Sequence, residues 1–251
     1  MLRAENLCKR FGGVSALEAL DLEIEAGAVH SIIGPNGAGK TTLLNVLCGI
    51  YRPEEGRVRV QEKSMVGRAP HEFAAAGIGR TFQNLQIFFN MSALENVMAG
   101  RWLHERCSLA AALARLPSLA RAERACRIEA EALLAFVGLE AWRDAPSDTL
   151  PYGALKRLEI ARALAAKPAL LLLDEPAAGL NPTETLEIDR LIQRLAASGV
   201  TIVLVEHNMK LVMGVSQHVV VLDYGRKLAE GSPDAVRRDP KVIEAYLGAG
   251  A

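Results

Sequence analysis

The residues Gly34-Pro35-Asn36-Gly37-Ala38-Gly39-Lys40-Thr41 fit the pattern GxxxxGK[ST], between a short apolar run at Val29 to Ile33 and a segment of helical character from about Lys40 to Cys48. Glycines let the backbone curl so that successive N–H groups point at one anion, and a helix N-terminus adds the positive end of its dipole. Lys40 has the reach to meet β- and γ-phosphates, and Thr42 follows in the same first turn. The Thr41 hydroxyl suits Mg²⁺, a hard cation that keeps several waters and takes few protein ligands. A nucleoside triphosphate is the ligand these residue types predict.

A second group supplies negative charge. Leu170-Leu171-Leu172-Leu173-Asp174-Glu175 is a buried-type strand ending in two carboxylates. Asp174 can hold the shell of a metal ion, and Glu175 can polarise an attacking water as general base. Adjacent carboxylates repel, and burying both is costly unless a metal or protons compensate, so their placement favours chemistry over a solvated turn.

Positioning these groups requires an alternation of strands and helices. Leu20, Leu22 and Ile24 alternate with Asp21, Glu23 and Glu25, which predicts a half-buried strand over Leu17 to Glu25. Val29 to Ile33, Ala169 to Leu173, Val200 to Val205 and Val219 to Leu222 are continuously apolar, as in parallel sheets covered on both faces. Thr185 to Ala197 has helical spacing, with Pro182 suited to a first turn. From Ser92 to about Ala166 the signals are helical: Ser92 and Glu95 form a capping box, and Arg121 to Val137 is an amphipathic stretch closed by Gly138. An α/β core interrupted by a helical insertion is the simplest summary.

Composition limits the function classes. The 251 residues are 50% apolar, 5% aromatic and 23% charged, enough to bury a substantial core. Twenty-nine basic residues balance 29 acidic ones, so no basic excess argues for nucleic acid or an anionic membrane surface. Charges, Pro or Gly interrupt every apolar run before bilayer length, and Met1 to Glu5 lack the apolar core of a signal peptide, which predicts a cytosolic chain. Cys8, Cys48, Cys107 and Cys126 show no CxxC pairing and read as structural thiols in a reducing compartment.

Further segments, in this order along the chain, resemble the ATP-binding subunits of ABC transporters. Leu150-Pro151-Tyr152-Gly153, followed by Lys156 to Leu164, resembles the family's signature segment. Gln83 after Thr81-Phe82 is similar to the Q-loop, Ala178 to Asn181 to the D-loop, and His207 after Glu206 to the switch histidine. Phe11 matches the position where the family stacks adenine. The resemblance implies an α/β fold: a P-loop NTPase ABC ATPase core with an antiparallel β subdomain and an inserted α-helical subdomain. It implies one domain over 1–251, with the core at about 1–91 and 167–251 and the insert at about 92–166.

The same resemblance implies ATP and Mg²⁺ as cofactors. Residues 34–42 and Phe11 would bind nucleotide; Thr41, Gln83 and Asp174 would face the metal; Lys40, Glu175 and His207 would act in catalysis. Leu150, Pro151, Tyr152 and Gly153 would complete the site of a second ATP-binding subunit in a head-to-tail heterodimer. Transmembrane permease subunits and, indirectly, an extracytoplasmic solute-binding protein complete the expected partners, with no nucleic acid. The chain would sit peripherally on the cytoplasmic face of the inner membrane. Asn84 to Arg101, with Leu85, Ile87, Phe88, Phe89 and Met91, would dock the membrane subunit.

Finer wording narrows the branch. Glu206 to Met213, Glu175 to Pro182 and Ala245-Tyr246-Leu247-Gly248 are similar to ATPases of high-affinity branched-chain amino-acid importers. Importers of urea, amides and aromatic acids share much of it. An ATPase for lipid or lipopolysaccharide export is a further reading, opposed by Met209 to Met213 and by the helical extension from Arg101. The family's LSGGQ is replaced here by Leu150-Pro151-Tyr152-Gly153-Ala154, and proline offers neither hydroxyl nor N–H. That departure implies weaker contact with the partner's nucleotide and two unequal composite sites; a serine at 151 that left turnover and nucleotide affinity unchanged would count against it.

Overall fold

The computed structural model describes residues 1–101, 103 and 117–247. β1 (Leu2–Phe11) and β2 (Val14–Ile24) pair antiparallel, and β4 (Glu55–Val60) and β5 (Lys63–Ser64) extend them into a four-stranded antiparallel sheet of order β2-β1-β4-β5. β3 (Val29–Ile33), β6 (Ile78–Arg80), β7 (Leu170–Asp174), β8 (Thr201–Val205), β9 (His218–Asp223) and β10 (Arg226–Gly231) form a second sheet of order β10-β9-β3-β8-β7-β6. Its pairings are parallel except that between β9 and β10.

The continuous hydrophobicity of the central strands follows from burial on both faces. Leu171 and Leu173 enter one core with Ile202 and Leu204, while Leu170 and Leu172 enter another with Val203 and Val205. Side chains alternate across a strand, so covering both faces demands an apolar residue at every position. The second core also takes Leu43, Leu44 and Leu47 of α1 (Lys40–Leu47) and Leu20, Leu22 and Ile24 of β2. Each such side chain contributes about 1.5–3 kcal/mol on burial.

α2 (Pro70–Ala75) precedes β6. Between 92 and 166 the described residues hold α3 (Ala93–Ala99), α4 (Pro117–Phe136), two 3₁₀ turns and α5 (Tyr152–Ala165), with one isolated bridge between Ser92 and Pro146 and no strand. The Ser92–Glu95 capping box is present: Glu95 N–H donates to Ser92 Oγ at 3.2 Å, and Ser92 N–H to Glu95 Oε2 at 2.8 Å. Gly138 closes α4 from the left-handed region at φ 73°. α6 (Pro182–Ala197) begins at Pro182, the residue suited to its first turn, and Asn181 caps it by accepting from Thr183 and Glu184 N–H. α7 (Met209–Val215), α8 (Pro233–Arg238) and α9 (Pro240–Leu247) complete the chain. Cys8, Cys48 and Cys126 are buried, whereas Cys107 and Gly248 lie outside the described residues. Among the described residues no helix is long and apolar enough to cross a membrane.

One buried charge-capable group gives the fold a pH dependence. His30 lies in β3, its Nε2 accepts from Glu25 N–H at 3.0 Å, and its Nδ1 has no partner. Burial, helped by His218 with its ring 5.4 Å away, holds the imidazole below its ordinary pKa against the opposing pull of Glu25 and Glu230. The unfolded chain therefore binds this proton first. Stability from His30 is fully present above about pH 6.5 and is expected to fall as pH drops below it, by up to about 1.4 kcal/mol per unit. Urea unfolding of wild type and His30→Gln between pH 7 and 5 checks this; identical slopes would remove the assignment.

Candidate functional site

The register of the parallel sheet decides what meets at its carboxyl edge. Ile32 of β3 pairs with Val205 of β8, and Val205 pairs with Asp174 of β7. The segments leaving these strands therefore emerge side by side: the loop 34–39, the turn at Glu175 and the turn at Glu206-His207. β6 lies beyond β7 with Arg80 opposite Leu172, so Thr81, Phe82 and Gln83 issue at the same edge. Ligands of open α/β sheets bind outside this edge.

The glycine loop adopts the curl that its composition predicts. Gly34, Gly37 and Gly39 have φ of 152°, 81° and 100°. A Cβ at Gly34 would lie 2.1 Å from Leu222 O, and one at Gly39 would lie 2.4 Å from Ala16 O, so backbone packing admits only glycine at both. Lys40 is buried and donates from Nζ to Gly34 O at 2.7 Å and Pro35 O at 2.9 Å. Burial lowers its pKa, and the charges of Glu175 and Asp174 oppose that shift, which puts all three in one electrostatic field. Pro35 is half-buried, Asn36 and Gly37 are exposed and Ala38 is buried; Thr41 is exposed on the first turn of α1, with Thr42 half-buried behind it.

Asp174 and Glu175 differ although they are neighbours. Asp174 is 1% exposed and accepts from Arg80 Nη2 at 3.0 Å. Burial raises its pKa, Arg80 opposes that rise, and its Oδ1 has no partner. Glu175 has φ 47°, a left-handed turn that aims its side chain away from the strand. Its Oε1 accepts from His207 Nε2 at 2.7 Å and its Oε2 from Gln83 Nε2 at 3.5 Å. Three residues widely separated in the chain thus meet on one carboxylate.

The donor set fits Mg²⁺. Asp174 Oδ1 is an orphaned buried oxygen, and a hydroxyl, an amide and a carboxylate are the hard oxygen donors such an ion takes in small number beside water and phosphate. Among the described residues no group of three or more His, Cys, Asp and Glu forms a metal cluster, so an all-protein cage is not what these residues build.

Two predicted groups stand apart from this cluster. Phe11 ends β1, half exposed, and makes an edge-to-face contact with Tyr51 at 5.2 Å while Lys9 Nζ lies 5.3 Å from its ring. Leu150 is buried, and Pro151 is the N-cap of α5 with no side-chain hydrogen bond. Tyr152 is exposed, and Gly153 packs so closely on Glu184 that a Cβ would lie 2.7 Å from it. Among the described contacts none joins residues 150–153 to the phosphate loop.

Reading the sequence missed several residues that hold the site. Arg80 neutralises Asp174 and donates to Asn45 Oδ1 at 2.6 Å, tying β6 to both β7 and α1. Glu206 is buried and accepts from Ala177 N–H at 3.0 Å and His207 N–H at 3.1 Å, joining the turn after Glu175 to the turn carrying His207. Burial raises its pKa and those backbone donors oppose the rise. A charged residue ending the all-apolar run Ile202 to Val205 was the available signal.

Known proteins share this arrangement. The ABC transporter family model matches residues 17–178, which include the phosphate loop and both carboxylates, and a branched-chain amino acid ATP-binding cassette transporter model matches residues 226–251. The chain is 43% identical over 249 residues to the high-affinity branched-chain amino acid transport ATP-binding protein BraF of Pseudomonas aeruginosa, covering 99% of this chain and 98% of that protein. Its fold is similar to the crystal structure of the ADP conformation of MJ1267, an ATP-binding cassette of an ABC transporter, with 34% identity, 99% and 98% coverage and a TM-score of 0.83. It is also similar to the dimeric structure of a post-hydrolysis state of the cassette MJ0796 bound to ADP and Pi, with 26% identity, 93% and 99% coverage and a TM-score of 0.79. The chain belongs to the ABC transporter family, as one of its ATP-binding, ATP-hydrolysing cassettes.

Proposed function

We propose that this chain drives an importer of branched-chain amino acids by hydrolysing ATP at the edge of the β3-β8-β7 sheet. The observation that carries the catalytic part is the Glu175 carboxylate held by His207 at 2.7 Å and Gln83 at 3.5 Å beside the buried Lys40. The names of its relatives and the match over residues 226–251 support the solute class.

Phosphoryl transfer to water needs positioning and charge neutralisation more than covalent chemistry. Backbone N–H groups of the glycine loop and the head of α1 cradle the phosphates, and Lys40 balances their charge. Phe11 and Tyr51 supply an aromatic face for the base. Glu175 orients the attacking water and takes up its proton. His207, hydrogen-bonded to Glu175, fixes that carboxylate and faces the γ-phosphate. Thr41, Gln83 and Asp174 would hold Mg²⁺, which would supply positive charge to the phosphate oxygens.

Residues 150–153 would serve a second ATP-binding subunit in a head-to-tail pair, which the dimeric cassette structure supports. Pro151 heads α5 without the hydroxyl and N–H that a serine would offer there. Permease subunits would dock on the loop after Gln83. Phe88 and Phe89 are exposed there, whereas Ile87 is buried and belongs to the core. Docking on the permease places the chain at the inner face of the membrane, with the extracytoplasmic solute-binding protein on the far side.

In a strain deleted for this chain, uptake of radiolabelled leucine is expected to fall to background while urea and aromatic-acid uptake persist. Wild type restores it and Glu175→Gln does not. Intact leucine uptake with loss of either other solute would overturn the solute assignment.

A further inference from the structure

Two buried charged residues on the signature helix grip the loop that carries Gln83. Lys156 and Glu159 are 3% and 2% exposed, and they lie one turn apart on the same face of α5. Lys156 Nζ donates to Gln83 O at 3.1 Å. Glu159 Oε1 accepts from Phe82 N–H at 3.1 Å. The Phe82-Gln83 dipeptide is therefore held at both ends by ionic side chains of a single helix. On the other side its amide side chain reaches Glu175.

Burying an ammonium and a carboxylate is costly, and packing alone would be served better by apolar residues of the same size. Burial raises the Glu159 pKa, with the Phe82 N–H and the charges of Lys156 and Arg162 opposing it. The next turn of α5 continues the grip, with the Arg162 guanidinium 5.3 Å from the Phe88 ring. Gln83 itself is exposed, and its loop has no regular structure, so these contacts determine where its amide points.

We propose that Lys156 and Glu159 are positioning residues of the nucleotide site, holding the backbone of Phe82 and Gln83 against α5 and so setting where the Gln83 amide points. The inference rests on the reading of Gln83 as a metal-facing residue.

The test uses Mn²⁺ with ATP on the full-length protein, read by electron paramagnetic resonance, with metal-free ATP binding measured beside it. Lys156→Met and Glu159→Leu are expected to weaken Mn²⁺ binding about tenfold, as loss of a hydrogen bond to a charged group does, without changing metal-free ATP binding. Lys156→Arg and Glu159→Gln keep the donor and the acceptor and are expected to retain the metal affinity. Gln83→Ala is the reference: if it weakens Mn²⁺ binding and the Met and Leu variants do not, the inference fails while the metal-facing reading stands. If Gln83→Ala has no effect, both fail. Amide hydrogen exchange in the wild-type chain gives an independent reading that needs no variant to fold: Phe82 is expected to be protected, and exchange at the rate of a free loop would overturn the proposal.

Discussion

Glu175→Gln in the assembled transporter is expected to lower the maximal ATP turnover by about 10²–10⁴-fold, the range lost with a positioned general base. The amide keeps the size of the carboxylate and a carbonyl oxygen for His207 Nε2, so the left-handed turn at Glu175 and its backbone bond to Val205 O at 2.9 Å should survive. The variant loses the negative charge that polarises water and the capacity to take a proton. The Lys40 cradle is untouched, so KM for ATP should change little, which marks an interaction made only in the transition state. Single-turnover kinetics with radiolabelled ATP separate the two parameters. Turnover within tenfold of wild type would mean that another group activates the water.

Lys40→Met is the complementary case, in which binding fails. The ammonium contacts Gly34 O and Pro35 O and is the buried cation of the loop, so the variant removes the side-chain charge that the loop sets against the triphosphate. Loss of a charge-assisted contact predicts a fall in ATP affinity of about 10²-fold, near 3 kcal/mol, with turnover falling as well. The unliganded fold should respond differently. Burial already depresses the pKa of Lys40, and exchange of a desolvated charge for an apolar chain of similar length is close to neutral. Thermal unfolding should thus show an unliganded midpoint near that of wild type and almost no upward shift with ATP. A wild-type shift in the variant would remove Lys40 from the phosphate site.

How much of this was legible depended on whether the signal was local. The phosphate loop could be read because glycine, lysine and threonine at that spacing satisfy one local demand, a backbone curl ahead of a helix. Val29 to Ile33 was read at its full extent because a strand covered on both faces is apolar at every position. By contrast, β4 and β10 escaped: Glu55–Val60, between β1 and β5, and Arg226–Gly231, at the edge beside β9, are largely polar strands whose pairing comes from a partner already in place. β6 escaped because three residues carry no period, yet its position beside β7 is what brings Arg80 to Asp174.

Residue types and spacing by themselves determined that this chain binds a nucleoside triphosphate, which carboxylates stand ready beside it and which family it resembles. Each of these is written in a short stretch of chain whose geometry is closed by its own backbone. Tertiary structure alone decided that Gln83 and His207 meet on Glu175, that Asp174 is neutralised by Arg80, and that Lys156 and Glu159 hold the Gln83 loop. Those contacts join residues separated by at least 32 positions. They exist because parallel pairing in one register sets the carboxyl ends of β3, β7 and β8 level, a distance relation that no single segment contains.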